Sequence, residues 1–208
     1  MNFGLRFATR LCLLFVAVCL ADYAFADEVQ TNAFSPADFK VVLKHAKAGD
    51  FEAQMEVANC YHEGLGVEQN KAESVKWLER AAKQGKPEAQ FLAGLAYFVG
   101  MDVKMDDKKG VELIEKAANQ GEPAALHYLS AAYFLGKGKK QDYLQAYIWE
   151  LVFLDSSRIM IPDNAESLKA RIADVEQKLT PEQIKKAKAE AQTLKSRLSK
   201  LPRYSAAD

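Results

Sequence analysis

The chain has 208 residues, with 28 Lys or Arg against 28 Asp or Glu, so its formal net charge is zero. This length is enough for one ordinary domain with a real core. No strongly basic or acidic block dominates, so the composition gives no reason to expect nucleic acid as a partner. Few stretches alternate apolar and polar residues, which favours helices over a sheet.

The first 26 residues have the features of a secretory signal. Two arginines precede an apolar run over residues 11–21, and the small residues Ala24 and Ala26 follow where a signal peptidase would cleave. We therefore expect a cleaved signal peptide over residues 1–26 and export to the bacterial periplasm. The alternatives are an uncleaved N-terminal helix or an inner-membrane anchor, although the apolar run is short for a membrane span.

The cysteine content points to a fold held together by packing. Cleavage would remove Cys12 and Cys19 and leave Cys60 alone. A single thiol cannot form an internal disulfide. We interpret Cys60 as a small buried helix residue and not as a nucleophile.

A period of 36 residues organises the rest of the chain, beginning with Gly49, Gly85 and Gly121. Other residues recur at fixed distances from each of these glycines. The recurring sets are Ala53, Ala89 and Ala125; Tyr61, Tyr97 and Tyr133; Gly64, Gly100 and Gly136; and Trp77, Leu113 and Trp149. A fixed period of this length is typical of a stacked repeat array.

Each repeat predicts two helices. The first helices are expected to begin near Asp50, Pro87 and Pro123 and to end at the glycine that recurs fifteen residues after the start of each repeat. The second helices are expected to begin near Asn70, Asp107 and Gln141. Small residues such as Ala81, Ala82, Ala89 and Ala93 then fall where neighbouring helices approach closely.

The predicted organisation assigns the mature chain to an array with caps at both ends. The segments are a flexible N-terminus over residues 27–34; an N-terminal capping helix, or half-repeat, over 35–48; repeats over 49–84, 85–120 and 121–157; and C-terminal capping helices with a tail over 158–208. Ser35 followed by Pro36 is a good start signal for the first cap.

Two stretches carry a family resemblance: "GDFEAQMEVANCYHEGLGV" and "ESVKWLERAAKQG". They resemble the Sel1-like repeat, a relative of the tetratricopeptide repeat, and the likeness covers about Ser35 to Ser157. The "LTPEQ" of the C-terminal region also resembles the ending of such proteins. The second unit departs from the motif at Asp102, where a loop glycine is expected. The resemblance implies an all-α, right-handed α/α solenoid that binds proteins or peptides as an adaptor or regulator, and not an enzyme.

A candidate binding surface follows from the positions six, ten and thirteen residues after each repeat glycine, on the concave side that first helices usually line. These positions hold Met55, Asn59, His62, Phe91, Leu95, Phe98, His127, Ala131 and Phe134. The candidate binding residues are all of these except Ala131, together with Glu52. We expect the apolar members to act as anchors for a partner. The alternative is that Phe91, Leu95 and Phe98 pack as core, which is the commoner role of apolar residues at helical spacing.

Metal or cofactor chemistry finds little support in the sequence. The three histidines lie in different predicted helices, and "HEGLG" at His62 lacks the second histidine of a zinc-protease helix. We expect no catalytic residue, metal or cofactor.

The segment from Pro181 to Arg203 has seven Lys or Arg against two Glu, a net charge of +5. It is interpreted as a capping helix, with partner pairing or contact with an anionic surface as the alternative.

The function expected from the sequence is a periplasmic protein-binding module that acts as a scaffold, adaptor or regulator. One alternative is an immunity protein that neutralises a toxic enzyme, and a further one is a cell-envelope hydrolase. The expected partner is a protein or peptide, with no nucleic acid. Membrane contact is expected only through the basic C-terminal helix, and the chain is expected to be a monomer.

Overall fold

The computed structural model describes residues 34–101, 103–156 and 165–201, and every regular element within these ranges is a helix. The helices are α1 (Pro36–Lys47), α2 (Phe51–Glu63), α3 (Lys71–Ala82), α4 (Pro87–Val99), α5 (Asp107–Ala118), α6 (Pro123–Leu135), α7 (Tyr143–Ser156), α8 (Ala165–Glu176) and α9 (Pro181–Leu198). From α1 to α8 each helix packs on the next, and α9 packs back on α7. Packing between chain neighbours is typical of a solenoid, so the predicted all-α solenoid is confirmed.

Several predicted segments lie outside the described residues. They are the signal peptide over residues 1–26, residues 27–33 of the predicted N-terminus, Asp102, the junction over residues 157–164 and the tail from residue 202.

The first helices end as the sequence predicts. Gly64, Gly100 and Gly136 each adopt the left-handed conformation at the C-cap, with φ of 79°, 72° and 69°. A side chain at such a φ would be strained, which is why glycine recurs there. The starts differ among repeats, because Asp50 caps α2 with its side chain, whereas α4 and α6 begin with prolines and have no side-chain cap.

The second helices begin in one repeated geometry. The backbone N–H groups of Asn70, Asp106 and Asp142 donate to the carbonyl oxygens of the recurring tyrosines, over 2.8, 3.1 and 3.0 Å. The side chains of the same three residues then cap α3, α5 and α7. Helix α7 consequently begins at Tyr143, two residues after the predicted Gln141, because Asp142 is its N-cap. The three tyrosines thus occupy equivalent places.

Close backbone contacts at a helix crossing and in two loops explain why glycine occupies four further positions. A Cβ at Gly94 in α4 would lie 2.8 Å from the carbonyl oxygen of Gly110 in α5, so the two helices cross with almost no room for a side chain. In the loops, a Cβ at Gly66 would lie 2.6 Å from the oxygen of Ser35, and one at Gly138 would lie 2.3 Å from the oxygen of Asp107. These contacts fix each loop against the unit that precedes it.

Helix α9 covers the C-terminal part of the array. Thr180 and Gln183 form the capping box that the sequence predicts at its start. Ala187 and Ala191 are buried, and Ile184 packs with other apolar residues of α9 against the main core. Its basic side chains Lys185, Lys186, Lys188, Arg197 and Lys200 are exposed. This is the arrangement of a capping helix; contact of these basic residues with a partner or an anionic surface stays a prediction.

Candidate protein-binding surface and a buried carboxylate

Three of the predicted anchors are core residues in the structure. Phe91, Leu95 and Phe98 are each only 2% exposed. The rings of Phe91 and Phe98 lie 5.5 and 6.0 Å from the ring of Tyr128 in α6. The expectation that these three side chains form an open surface is therefore wrong, and the core alternative describes them. The physical reason is that α4 carries a single charged residue, Glu88, and a helix that is apolar nearly all round is buried by its neighbours.

The predicted residues of α2 lie nearer to solvent. Asn59 and Glu52 are exposed, and Glu52 pairs with Lys86 at 3.4 Å. Met55 and His62 are half-buried, and Met55 packs against the small cluster around Phe51. Their binding role stays a prediction.

The exposed face of the first helices lies at slightly different positions from those predicted. On α2 it consists of side chains at three- and four-residue spacing: Glu52, Glu56, Asn59 and Glu63. The equivalent face of α4 presents the half-buried Leu92 and Val99, and that of α6 presents Ala124, Ala131 and Leu135. Leu135 is 52% exposed. We call these nine residues the first-helix stripe.

The stripe changes from acidic to apolar along the array. Its α2 members include three glutamates, whereas its α4 and α6 members are aliphatic. Half-buried Glu88 lies close to the acidic part. Burial, followed by the charge of Glu52, raises the pKa of its carboxyl, while Lys86 opposes the shift. A partner that covers the stripe would therefore bury apolar surface at one end and meet negative charge at the other.

His127 and Phe134, the predicted residues of α6, lead to a second feature. Both are half-buried. Nδ1 of His127 lies 3.0 Å from Nη2 of Arg171 in α8 and 3.7 Å from Oε1 of Glu150 in α7. Phe134 packs edge-on against Tyr143, with the ring centroids 5.7 Å apart. The two residues thus lie where the third repeat meets α8.

Glu150 is the central group of this junction. It is 3% exposed, and its Oε1 accepts a hydrogen bond from Nη2 of Arg171 over 2.5 Å. Burial raises the pKa of this carboxyl, but contact with His127 and the charge of Arg171 outweigh burial and lower the pKa to about 2. The group is therefore an ionised carboxylate at neutral pH, held inside the protein by its contacts with Arg171 and His127.

A narrow cleft adjoins Glu150. It is lined by Ser130, Phe134, Tyr147, Glu150, Arg171, Ile172 and Val175. The gaps between these side chains are too narrow to hold a water molecule. Ser130, Tyr147, Glu150 and Val175 are buried, whereas Phe134, Arg171 and Ile172 are partly exposed and form the side of the cleft that faces solvent.

Cys60 has the role expected from the sequence. It is 1% exposed, and burial followed by the charge of Glu56 raises the pKa of its thiol to about 11. A buried thiol that stays protonated is a packing residue and a poor nucleophile.

Within the described ranges, no three His, Cys, Asp or Glu side chains come together as potential metal ligands. No helix in the described part of the chain combines the length and apolar character needed to cross a bilayer.

Two groups of residues were not predicted from the sequence. Leu92, Val99 and Leu135 of the stripe each lie one position after a predicted residue. The repeat was therefore predicted correctly, but the side of the first helices that faces solvent was not. Glu150 had a signal, because it is the sole carboxylate in the apolar run "YIWELVFL". Arg171 had none, since its partner is 21 residues distant in the sequence.

Comparison with known proteins agrees with this architecture. The family model of the Sel1 repeat matches residues 51–86, 87–122 and 123–149. These matches have the predicted period and begin two residues after each repeat glycine. No curated protein matches the chain.

Two solved structures are similar to the chain. One is a Sel1 repeat protein from Oxalobacter formigenes, with 32% sequence identity, 66% of this chain and 98% of that chain covered, and a TM-score of 0.55. The other is c5321, a protective antigen present in uropathogenic Escherichia coli strains displaying an SLR fold, with 26% identity and a TM-score of 0.52. The match to c5321 covers 82% of this chain and 45% of that one.

The fold and the comparisons define a helical repeat protein, the class whose stacked helix pairs present long surfaces to other macromolecules. The chain belongs to the Sel1 repeat family. Members of this family are generally protein–protein interaction modules.

Proposed function

We propose that the chain is an exported periplasmic protein-interaction module, an adaptor or regulator that acts by binding and not by catalysis. The observation that carries the proposal is the first-helix stripe, where Leu92, Val99 and Leu135 remain partly exposed on a scaffold of a protein-binding family. Aliphatic side chains that stay near solvent beside a polar margin are a typical protein-binding surface.

The stripe also indicates what the partner presents. An apolar segment would cover the aliphatic side chains of α4 and α6. Basic residues beside that segment would face Glu52, Glu56 and Glu63 on α2, since complementary charges steer encounter and disfavour wrong partners. The proposed partner is a protein segment with apolar anchors and adjoining lysines or arginines.

Site-specific photo-cross-linking in the cell envelope tests this assignment. A photoreactive residue is placed at Leu92 or Leu135 on the stripe, or at the control position Val41, which is 58% exposed on α1. We expect the stripe positions to give one discrete protein adduct that mass spectrometry identifies, and Val41 to give none. Adducts at Val41 but not at the stripe would contradict the proposed surface.

The periplasmic location has its own test. The supporting feature is the signal-like sequence over residues 1–26. The expected result is a mature protein in the periplasmic fraction whose N-terminal residue, found by mass spectrometry, is Asp27. A chain that keeps its first residues in the cytoplasmic fraction would overturn this part of the proposal.

The cross-linked partner also decides between an adaptor and an immunity protein. A folded enzyme that binds one-to-one and loses its activity in the complex would make this chain a dedicated inhibitor. A partner bound through a short segment, with its activity retained, would support an adaptor. Both outcomes use the same stripe.

A further inference from the structure

Helix α9 concentrates positive charge in a chain whose formal net charge is zero. Its 18 residues include five Lys or Arg against two Glu, a net charge of +3. Helix α2, in contrast, contains three Glu and no Lys or Arg. Because α2 packs on α1 and α3 while α9 packs on α7, the opposite charges lie on different parts of the array.

The solvent side of α9 lies opposite the residues that it buries. Ala187 and Ala191 pack in the main core, and the helical period places a second set of residues on the far side. This set, which we call the α9 outer face, is exposed throughout and consists of Lys185, Lys186, Ala189, Gln192, Thr193, Ser196 and, just after the helix, Lys200. Lys188 and Arg197 are also exposed and lie at its two margins. Within the described part of the chain, the ammonium groups of Lys185, Lys188 and Lys200 form no ion pair.

The chemistry of the α9 outer face selects among anionic partners. It has no aromatic residue and no Leu, Ile, Val or Met. Protein hot spots are built from large side chains that fill pockets, and single-stranded nucleic acid is held by stacking on aromatic rings. Small polar residues surrounded by flexible lysines instead suit a flat layer of phosphates, which each ammonium contacts as a separate point charge.

We propose that the α9 outer face docks on an anionic lipid surface, with the phosphates of the lipid headgroups as the groups that it binds. The contact is electrostatic and peripheral, because this face has no apolar residue to insert. The same surface repels the glutamates of α2, so the charge distribution turns α9 toward the lipid. The first-helix stripe lies on α2, α4 and α6 and stays available to a protein partner. The inference goes beyond the proposed function and does not depend on it.

Co-sedimentation with lipid vesicles tests the docking directly. The protein is purified as the cell processes it, so that all variants have the same N-terminus. It is mixed with vesicles of phosphatidylglycerol and phosphatidylcholine in equal parts, or of phosphatidylcholine alone, and we expect at least about tenfold weaker binding to the second. Raising the salt concentration from about 0.01 M to about 1 M shortens the Debye length from about 30 Å to about 3 Å and should release the protein. Binding that ignores lipid charge or salt would overturn the proposal.

Matched lysine variants test whether α9 makes the contact. The α9 variant replaces the three lysines without an ion pair: Lys185→Gln, Lys188→Gln and Lys200→Gln. The control replaces three exposed lysines of α1: Lys40→Gln, Lys44→Gln and Lys47→Gln. One lysine near an anionic surface is worth about fivefold in affinity, so the α9 variant should bind roughly 100-fold more weakly and the control within about threefold of the wild type. Equal losses would show that net charge alone drives binding and that α9 has no special role.

A fluorescent amino acid reports which helix faces the lipid. It is placed at Ala189 in the α9 outer face, or at Val41 on α1, which is 58% exposed. A quencher attached to the lipid headgroups should reduce the fluorescence at position 189 and leave that at position 41 unchanged. Equal quenching at the two positions would contradict docking through α9.

A soluble polyanion separates a lipid surface from an acidic protein partner. Poly-glutamate is compared with the phosphatidylglycerol vesicles at the same concentration of negative charge. Weaker binding of poly-glutamate supports the lipid assignment. Tighter binding that is lost in the α9 variant would make this face a site for acidic protein, and the lipid assignment would be wrong. None of these experiments uses the partner of the first-helix stripe, so their failure leaves the proposed function standing.

Discussion

Gln120, two residues after α5, donates a hydrogen bond from Nε2 to the carbonyl oxygen of Gly85, 35 residues earlier in the chain, over 2.9 Å. The same Nε2 lies 2.8 Å from Oε1 of Gln90. Gln84 makes the equivalent pair of contacts to Gly49 and Gln54 one repeat earlier, over 3.0 and 2.9 Å. In the first two repeats, these contacts join the segment that follows the second helix to the start of the first helix of the same repeat.

Substitution of Gln120 tests this link. Gln120→Ala removes the hydrogen-bond donor to the Gly85 carbonyl. It also removes the donor to Oε1 of the buried Gln90. We expect the free energy of unfolding to fall by about 1–2 kcal/mol, the usual effect of losing hydrogen bonds with one partner left behind. Urea denaturation measures it, and Gln177→Ala, at an exposed position just after α8, is the control. Equal effects of the two substitutions would show that the repeated glutamine contributes nothing specific.

The loop glycines give a prediction about packing between units. At Gly138 an added Cβ would lie 2.3 Å from the oxygen of Asp107, and φ is 69°. Gly49 also has a positive φ, 99°, but an added Cβ there meets nothing within 4 Å. We expect Gly138→Ala to lower the free energy of unfolding by at least about 2 kcal/mol more than Gly49→Ala, because only the first adds a clash to the backbone strain. Thermal unfolding of both variants compares them directly.

Phe98 and Phe134 should respond differently to truncation. Phe98 is 2% exposed in the main core, so Phe98→Ala should destabilise the fold by about 3–5 kcal/mol. Phe134 is half-buried, and Phe134→Ala should cost less. Chemical denaturation gives both values. A fully stable Phe98→Ala that lost its partner instead would restore the role of binding anchor that the sequence suggested.

Glu150 predicts a dependence of stability on pH. Its pKa is about 2 in the folded protein and ordinarily about 4.5. A folded pKa below the unfolded one means that the group stabilises the fold above pH 4.5 and that this contribution fades as the pH falls toward 2. The difference corresponds to about 3 kcal/mol. The gap in unfolding free energy between the wild type and Glu150→Gln should therefore shrink by roughly this amount between pH 6 and pH 2. A gap that does not change with pH would contradict the ionised, Arg171-paired state.

Much of the fold could be predicted because its causes are local and repeated. Gly64, Gly100 and Gly136 end the first helices for the same backbone reason each time, and the fixed spacing makes that reason visible in the sequence. The recurring tyrosines likewise mark one repeated contact, since each carbonyl accepts from the residue that caps the next helix.

The candidate site was harder to predict, because exposure depends on neighbours that the repeat does not specify. Phe91 and Asn59 both lie on first helices, yet Phe91 is buried between helices of its own and the next repeat, and Asn59 is exposed near the start of the array. Arg171 lies beyond the last repeat, so no period places it beside Glu150. Such contacts become visible only when the helices are packed.

The central claim, that the first-helix stripe of the stacked array holds a protein partner, is tested most directly by calorimetry with the cross-linked partner in purified form. The comparison is between the wild type, a Leu92→Glu and Leu135→Glu double variant of the stripe, and Val41→Glu as the exposed control. We expect affinity to fall by about 100-fold or more in the stripe variant, as for charges placed in a binding hot spot, and to stay within about twofold of the wild type for Val41→Glu. Wild-type affinity in a folded stripe variant would contradict the account.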